Sequence, residues 1–335
     1  MKQFNIKVDP CLELINSILL TSRYNELTKE FIGYGLMSEE QNEYTTAIKS
    51  FLQPYHCHEI YRIVEAMIPN GFTFSRPVEL ALCLTGKNDF SFKFQPSDLC
   101  IRYCDGMETI TTFLKSLRQF ADETDYFSFF DKAVKFYHPV LAEIEKNIRA
   151  YPFISLLENE YGKEQNSYNY IVSSLMISNF GIEFVDTATQ KSDLFSVFST
   201  DDYSLSPAVL FHEYSHPFIN PLTEKYSDIA NQYQNAYELL KKYKLPDFHS
   251  GYGDWQECIN EHLVRAMAIH LTQKCNLTEL ADQLLNNDLY RGFRYIPLIL
   301  ECYEFYDKNR NKYTNFESFY PELLKVFAND ISDAN

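Results

Sequence analysis

Glycine is scarce: the 335 residues contain only 10. Folds that cradle phosphates in Gly-rich loops are therefore disfavoured, and their signatures are missing. After Gly33 and Gly35 the third position of a G-x-G-x-x-G pattern is Ser38, and after Gly251 and Gly253 it is Gln256. A Walker A loop and a G-x-S-x-G elbow are also missing, which removes the P-loop and α/β-hydrolase routes to catalysis. Positive charge is short as well: 30 Lys+Arg against 46 Asp+Glu leave a net charge of −16. Nucleic-acid faces and binders of anionic membranes need clustered Lys and Arg, so neither partner is expected. No stretch of 18 apolar residues occurs, so no membrane span is expected. The eight cysteines (Cys11, Cys57, Cys83, Cys100, Cys104, Cys258, Cys275, Cys302) form no C-x-x-C pair. Scattered thiols fit a reducing compartment, and the expected location is the cytoplasm. Glu13 and Asn16 interrupt the only early apolar stretch, so no signal peptide is read there; a leader removed ahead of the sequence would instead mean secretion.

Apolar and aromatic residues are plentiful. A hydrophobic share of 45%, with 27 Phe and 25 Tyr, argues against disorder. A chain this long buries roughly three quarters of its unfolded surface and needs no disulfide staples. To about residue 150 the apolar spacing is helical, as in Leu12, Ile15, Ile18 and Leu19, in Tyr61, Ile63, Val64 and Met67, and in Ile110, Phe113, Leu114 and Leu117. Ser38 with Gln41 has the form of a capping box. Then the texture changes. Residues 168–177, 182–185 and 194–198 read as strands, rich in β-branched and aromatic side chains. Helices return at 207–219, 226–243, 254–273 and 277–285, with a last one beginning near Pro321. The expected organisation is a helical N-terminal region, 1–150, and a second domain, 151–335. The expected class is α+β, mostly helical, with one small sheet.

The informative stretch is Ser206-Pro207-Ala208-Val209-Leu210-Phe211-His212-Glu213-Tyr214-Ser215-His216. Ser206 is a good N-cap and Pro207 a good first helical residue. His212 and His216 then lie one turn apart on one helix face, the spacing that lets two imidazoles bind a single Zn²⁺. Glu213 stands beside them, placed to take a proton from water. This is the H-E-x-x-H signature. A metzincin continuation would need Gly at 219 and His at 222, but those residues are Ile219 and Leu222, so a third ligand must come from elsewhere. The segment 254–266 offers Glu257, Glu261 and His262. Asp254 with Glu257 looks like an N-cap and its N3 partner. Glu261 sits deeper, one turn before Arg265, and is the preferred ligand, with His262 next. Pro217, directly after the second His, should kink or end its helix. His56-Cys57-His58 looks metal-like but faces different ways on a helix and has no complementary pair nearby.

His212-Glu213-x-x-His216 followed by Asn260-Glu261 on a later helix resembles the gluzincin group of zinc metallopeptidases. The strings His212 to Leu222 (HEYSHPFINPL) and Asn260 to Ala266 (NEHLVRA) also resemble a bacterial family of unknown function made up of presumed zinc peptidases. The resemblance implies a zincin-like catalytic region with one Zn²⁺ per chain on His212, His216 and Glu261. It implies Glu213 as general base and a peptide or protein as substrate, held in extended form against a sheet edge. Residues 168–177 are the expected edge. Tyr252, nine residues before Glu261, is placed like the oxyanion-binding Tyr of thermolysin-like enzymes, with His249 as the other candidate. The sequence departs from the group where Arg265 replaces a frequent Asp. Three other readings stand beside this one: a zinc-bound, non-proteolytic protein that binds a peptide or partner; hydrolysis of a non-peptide amide or ester; and a helical scaffold without metal.

Overall fold

Asp9 followed by Pro10 is a strong helix start, because an acidic N-cap meets a residue that needs no N–H partner. In the computed structural model the Asp9 carboxylate accepts hydrogen bonds from the N–H groups of Cys11 and Leu12 at 3.0 and 3.2 Å. The structure describes residues 4–87, 89–200, 207–245, 251 and 253–329. The first strand is β1 (Phe4–Lys7). The helices up to residue 149 are α1 (Pro10–Thr21), α2 (Tyr24–Ile32), α3 (Glu43–Leu52), α4 (Glu59–Met67), α5 (Ser75–Leu82), α6 (Asp98–Tyr103), α7 (Gly106–Thr124), α8 (Tyr126–Ala133) and α9 (His138–Arg149). They are followed by α10 (Phe153–Tyr161), strands β2 (Ser167–Val172), β3 (Phe180–Asp186) and β4 (Lys191–Phe198), and then helices α11 (Pro207–Glu213), α12 (His216–Lys225), α13 (Ser227–Ala230) and α14 (Asn235–Leu240). The last four are α15 (Trp255–Lys274), α16 (Thr278–Arg291), α17 (Ile296–Lys308) and α18 (Phe316–Leu323). The class is α+β and mostly helical.

The chain divides into two units: Gln3–Glu145 with Ser167–Ser204, and Lys146–Asn166 with Leu205–Asn335. All four strands among the described residues belong to the first. They form a mixed sheet in the order β1-β2-β4-β3, with β2 parallel to both β1 and β4, and β3 antiparallel to β4. The β3–β4 hairpin closes because the Asp186 carboxylate accepts from the Ala188 N–H and the Thr189 hydroxyl, both at 2.9 Å, an Asx-type turn. In α1, Leu12, Leu14, Ile15 and Ile18 are fully buried, so this helix runs through the core of its unit.

In the second unit α15 takes the central place. It packs against α11, α12, α16 and α17. Residues around its whole circumference are buried, from Cys258 and Ile259 to Ile269 and Leu271, which is the pattern of a helix enclosed on all sides. Aromatic contacts join α10 to α11 and α12: Phe153 lies 5.0 Å from Phe211, and Tyr161 stacks on Phe218 at 4.3 Å.

Several expectations are corrected. The third helix is capped by Asn42 and Thr45, which exchange backbone-to-side-chain hydrogen bonds, and Ser38 with Gln41 plays no such part. The strand expected over 168–177 ends at Val172 and is internal, paired on both sides. Its residues Tyr168 to Val172 are buried, a near-continuous run of the kind expected between parallel neighbours. An extended substrate therefore has no free edge there. The C-terminal helix starts at Phe316 under an Asn315 cap, with Pro321 inside it, and a further helix, α17, precedes it. Among the described residues no helix is long and apolar enough to cross a membrane.

Candidate metal centre

The H-E-x-x-H residues do not lie on one unbroken helix. Helix α11 ends at Glu213 and α12 begins at His216. Pro217 explains the interruption. It has no N–H to give the Glu213 carbonyl, and its ring would crowd that oxygen. The turn tightens instead, with the Ser215 N–H bonding to the His212 carbonyl at 3.1 Å. Pro217 is then absorbed in the first turn of α12. The expected N-cap, Ser206, lies outside the described residues.

The break does not part the imidazoles. Nε2 of His212 and Nε2 of His216 are 3.3 Å apart. The Glu261 carboxylate, from the middle of α15, closes the triangle: Oε1 lies 3.4 Å from His216 Nε2 and Oε2 lies 3.9 Å from His212 Nε2. His216 Nδ1 faces Asn220 Oδ1 at 3.2 Å. When Nδ1 carries the proton and donates it to that carbonyl, the lone pair is left on Nε2, facing the cluster. Burial drives the His212 pKa down to about 3, although Glu261 pulls the other way. At neutral pH this ring is a neutral nitrogen donor, so its approach to Glu261 is not an ion pair.

Glu261 is held from behind. Arg265 reaches Glu261 Oε2 with Nε at 3.0 Å and Nη2 at 2.8 Å. The guanidinium is held in turn by Asp288 Oδ1, 2.8 Å from Nη1, and lies over the Phe293 ring at 4.3 Å. Burial favours a protonated Glu261, but Arg265 and the two imidazoles outweigh it and hold the pKa at about 2. For half-buried Glu213 the balance goes the other way. Burial raises its pKa, and nearby Glu261 adds to the rise against the pull of His216.

Of the three candidates for a third ligand, the fold brings only Glu261 to both rings. Glu257 accepts from the N–H groups of Gly251 and Gly253 at 2.8 and 3.1 Å, while the Asp254 side chain accepts from the Glu257 N–H at 2.8 Å. His262 is buried, with Nδ1 on the Cys258 carbonyl at 2.8 Å and its ring against Phe293 and Tyr295. Tyr252 and His249 lie outside the described residues. His58 caps α4, accepting from the Ile60 N–H at 3.1 Å, and His56 bonds the Gln53 carbonyl at 2.8 Å. The pair is used in local structure.

Three supporting contacts escaped the sequence reading. Asn260 Oδ1 accepts from the Thr223 hydroxyl, tying α15 to the helix that carries His216. Asp288, from α16, anchors Arg265. Gly251, at φ +78°, packs so closely on Glu261 that a Cβ there would sit 2.9 Å from Glu261 Cβ and Cγ. Two nitrogen lone pairs and one ionised oxygen thus converge, a donor set that suits a borderline-soft divalent cation. With this geometry established, comparison places the chain in a family. It belongs to DUF4932, a domain of unknown function, whose family profile matches residues 4–326. Neither a curated protein nor a solved structure matches it.

Proposed function

We propose that the protein is a zinc-dependent hydrolase of peptide bonds, of gluzincin type, with His212, His216 and Glu261 as metal ligands and Glu213 as general base. The observation that carries this reading is the triangle of His212, His216 and Glu261, with Arg265 behind the carboxylate. A zinc ion held there would supply Lewis acidity and bring the pKa of water near 7. The residues have separable tasks. His212 is kept neutral by burial and offers a lone pair. Arg265 occupies one face of the Glu261 carboxylate and fixes its rotamer, as a positioning residue. Glu213, its pKa raised by burial, takes a proton from the attacking water and returns it to the leaving amine. A base with a raised pKa is better matched to a proton moved near neutral pH than an ordinary carboxylate.

The test combines metal analysis with turnover of a mixed peptide library. Wild type should carry about one zinc per chain at this site, and His216→Ala should lose it. Glu213→Gln should keep the zinc yet lose kcat by about 10²–10⁴-fold. If zinc-loaded wild type leaves the library uncleaved, the hydrolase reading fails and a peptide-binding role takes its place; cleavage by both proteins at one rate would remove Glu213 as the base.

A further inference from the structure

A second triangle of donors includes His270, on the same long helix nine residues beyond Glu261. His270 Nε2 is 3.2 Å from Asp307 Oδ2 and 3.8 Å from Glu160 Oε1. One donor from each residue falls within 4.8 Å of the other two. The first triangle has sides of 3.3, 3.4 and 3.9 Å, so the spacing is comparable. Glu160 comes from α10, His270 from α15 and Asp307 from α17, all within the second unit.

The side chains of Glu160 and His270 are 4% and 6% exposed. Among the described residues Glu160 Oε1 has no hydrogen-bond partner, and the nearest acceptor to His270 Nε2 is Asp307 Oδ2 at 3.2 Å. A buried oxygen left so costs about 1–3 kcal/mol unless something else satisfies it. Two cations stand nearby. Lys274 Nζ lies 2.5 Å from Glu160 Oε2 and 2.8 Å from Asp307 Oδ2. The Arg310 guanidinium bonds the Glu160 carbonyl at 2.9 Å and comes only to 3.9 Å from Oε1. Lys274 is about one-third exposed, as is Asp307, so the cluster borders solvent on that side. Lys274 bonds Glu160 Oε2 and Asp307 Oδ2, the second itself a corner of the triangle, and leaves His270 Nε2 and Glu160 Oε1 3.8 Å apart.

We propose that Glu160, His270 and Asp307 form a second divalent-cation site, structural in role, that ties α10, α15 and α17 together, with Lys274 as the competing cation when metal is absent. One imidazole and two carboxylates suit zinc or manganese. Cross-linking three helices far apart in sequence favours the folded chain over the unfolded one. This inference stands whether or not the first triangle is catalytic.

The test uses the full chain carrying His216→Ala and Glu261→Ala, so that the first triangle contributes nothing. Zinc and manganese are each titrated calorimetrically, and melting is followed with and without the metal. About one ion per chain should bind, with Tm raised by about 3–8 °C in excess metal. Adding Asp307→Asn should abolish both effects. Adding Lys274→Met should tighten binding by about tenfold or more, because it removes the competing charge. If neither the double variant nor its Lys274→Met derivative binds either metal while both remain folded, the cluster is an ion-pair network and the proposal is overturned. Binding that survives Asp307→Asn overturns it equally.

Discussion

Glu13 and Glu261 are carboxylates set deep in their own units, and their surroundings treat them in opposite ways. Glu13, on α1, meets neutral donors: the Tyr44 hydroxyl at 2.6 Å and the Tyr137 hydroxyl at 3.0 Å. Burial lifts its pKa from 4.5 to about 7, against the pull of Ser173, Tyr44 and Tyr137. Burial lifts Glu261 too, but Arg265 and two imidazoles reverse the effect and bring it to about 2. A buried acid enclosed by hydroxyls tends to keep its proton and serve packing. One backed by a guanidinium stays ionised, with its remaining oxygen directed at a nitrogen cluster. That contrast separates a structural acid from a ligand more sharply than burial does.

The contrast can be broken most directly by removing each charge. Glu261→Gln should weaken zinc binding by about 10³-fold or more, because one of three ligands is lost, while Glu13→Gln should leave zinc affinity unchanged. Equal zinc affinity in the two variants would erase the distinction. A smaller effect follows from the backing group. Arg265→Met keeps the apolar stem but removes the fork, and zinc affinity should drop about 10–100-fold, as expected for a supporting partner of a ligand. Isothermal titration of folded protein reads both variants.

The pH dependence of stability should carry opposite signs in the two units. Between pH 4.5 and about 7 Glu13 is protonated when folded and ionised when unfolded, so stability falls as pH rises through that window. Glu13→Gln should therefore look more favourable at pH 8 than at pH 5, by up to about 3 kcal/mol. In metal-free protein Glu261, at about 2, stabilises the fold above pH 4.5 and loses that contribution as pH falls towards 2. His212, depressed to about 3, acts in the same direction, losing its contribution as pH falls from 6.5. Urea melts of both variants against wild type across pH 3–8 decide the signs. Gly251→Ala is the mildest perturbation: a Cβ at positive φ pressed on Glu261 should cost about 1–3 kcal/mol and loosen zinc without abolishing its binding. A variant with wild-type stability and zinc affinity would show that this close approach is not needed.

Much of the candidate site is legible along the chain because it is local. His212 and His216 belong to one turn, and Glu261 with Arg265 to another. What escaped is non-local. Asp288 anchors Arg265 from 23 residues away, and Thr223 reaches Asn260 across 37. The Glu160, His270 and Asp307 cluster draws on three helices, with Lys274 meeting Glu160 across 114 residues. Nothing in the composition of those helices marks them as neighbours. The strands show the same division. Their existence follows from β-branched and aromatic runs, but the insertion of β2 between β1 and β4 depends on pairing with residues more than 160 positions earlier.

Residue type and helical period alone determined that this chain is mostly helical, that two imidazoles share one turn, and that an acid beside an arginine waits on a later helix. These are short-range consequences of backbone geometry and hold wherever the helices pack. Tertiary structure decided that α11 could break before Pro217 without separating the rings. It also decided which of Glu257, Glu261 and His262 faces them, and which of two buried acids keeps its proton. Those outcomes depend on burial and on charges brought in from distant segments, and both exist only once the helices have docked.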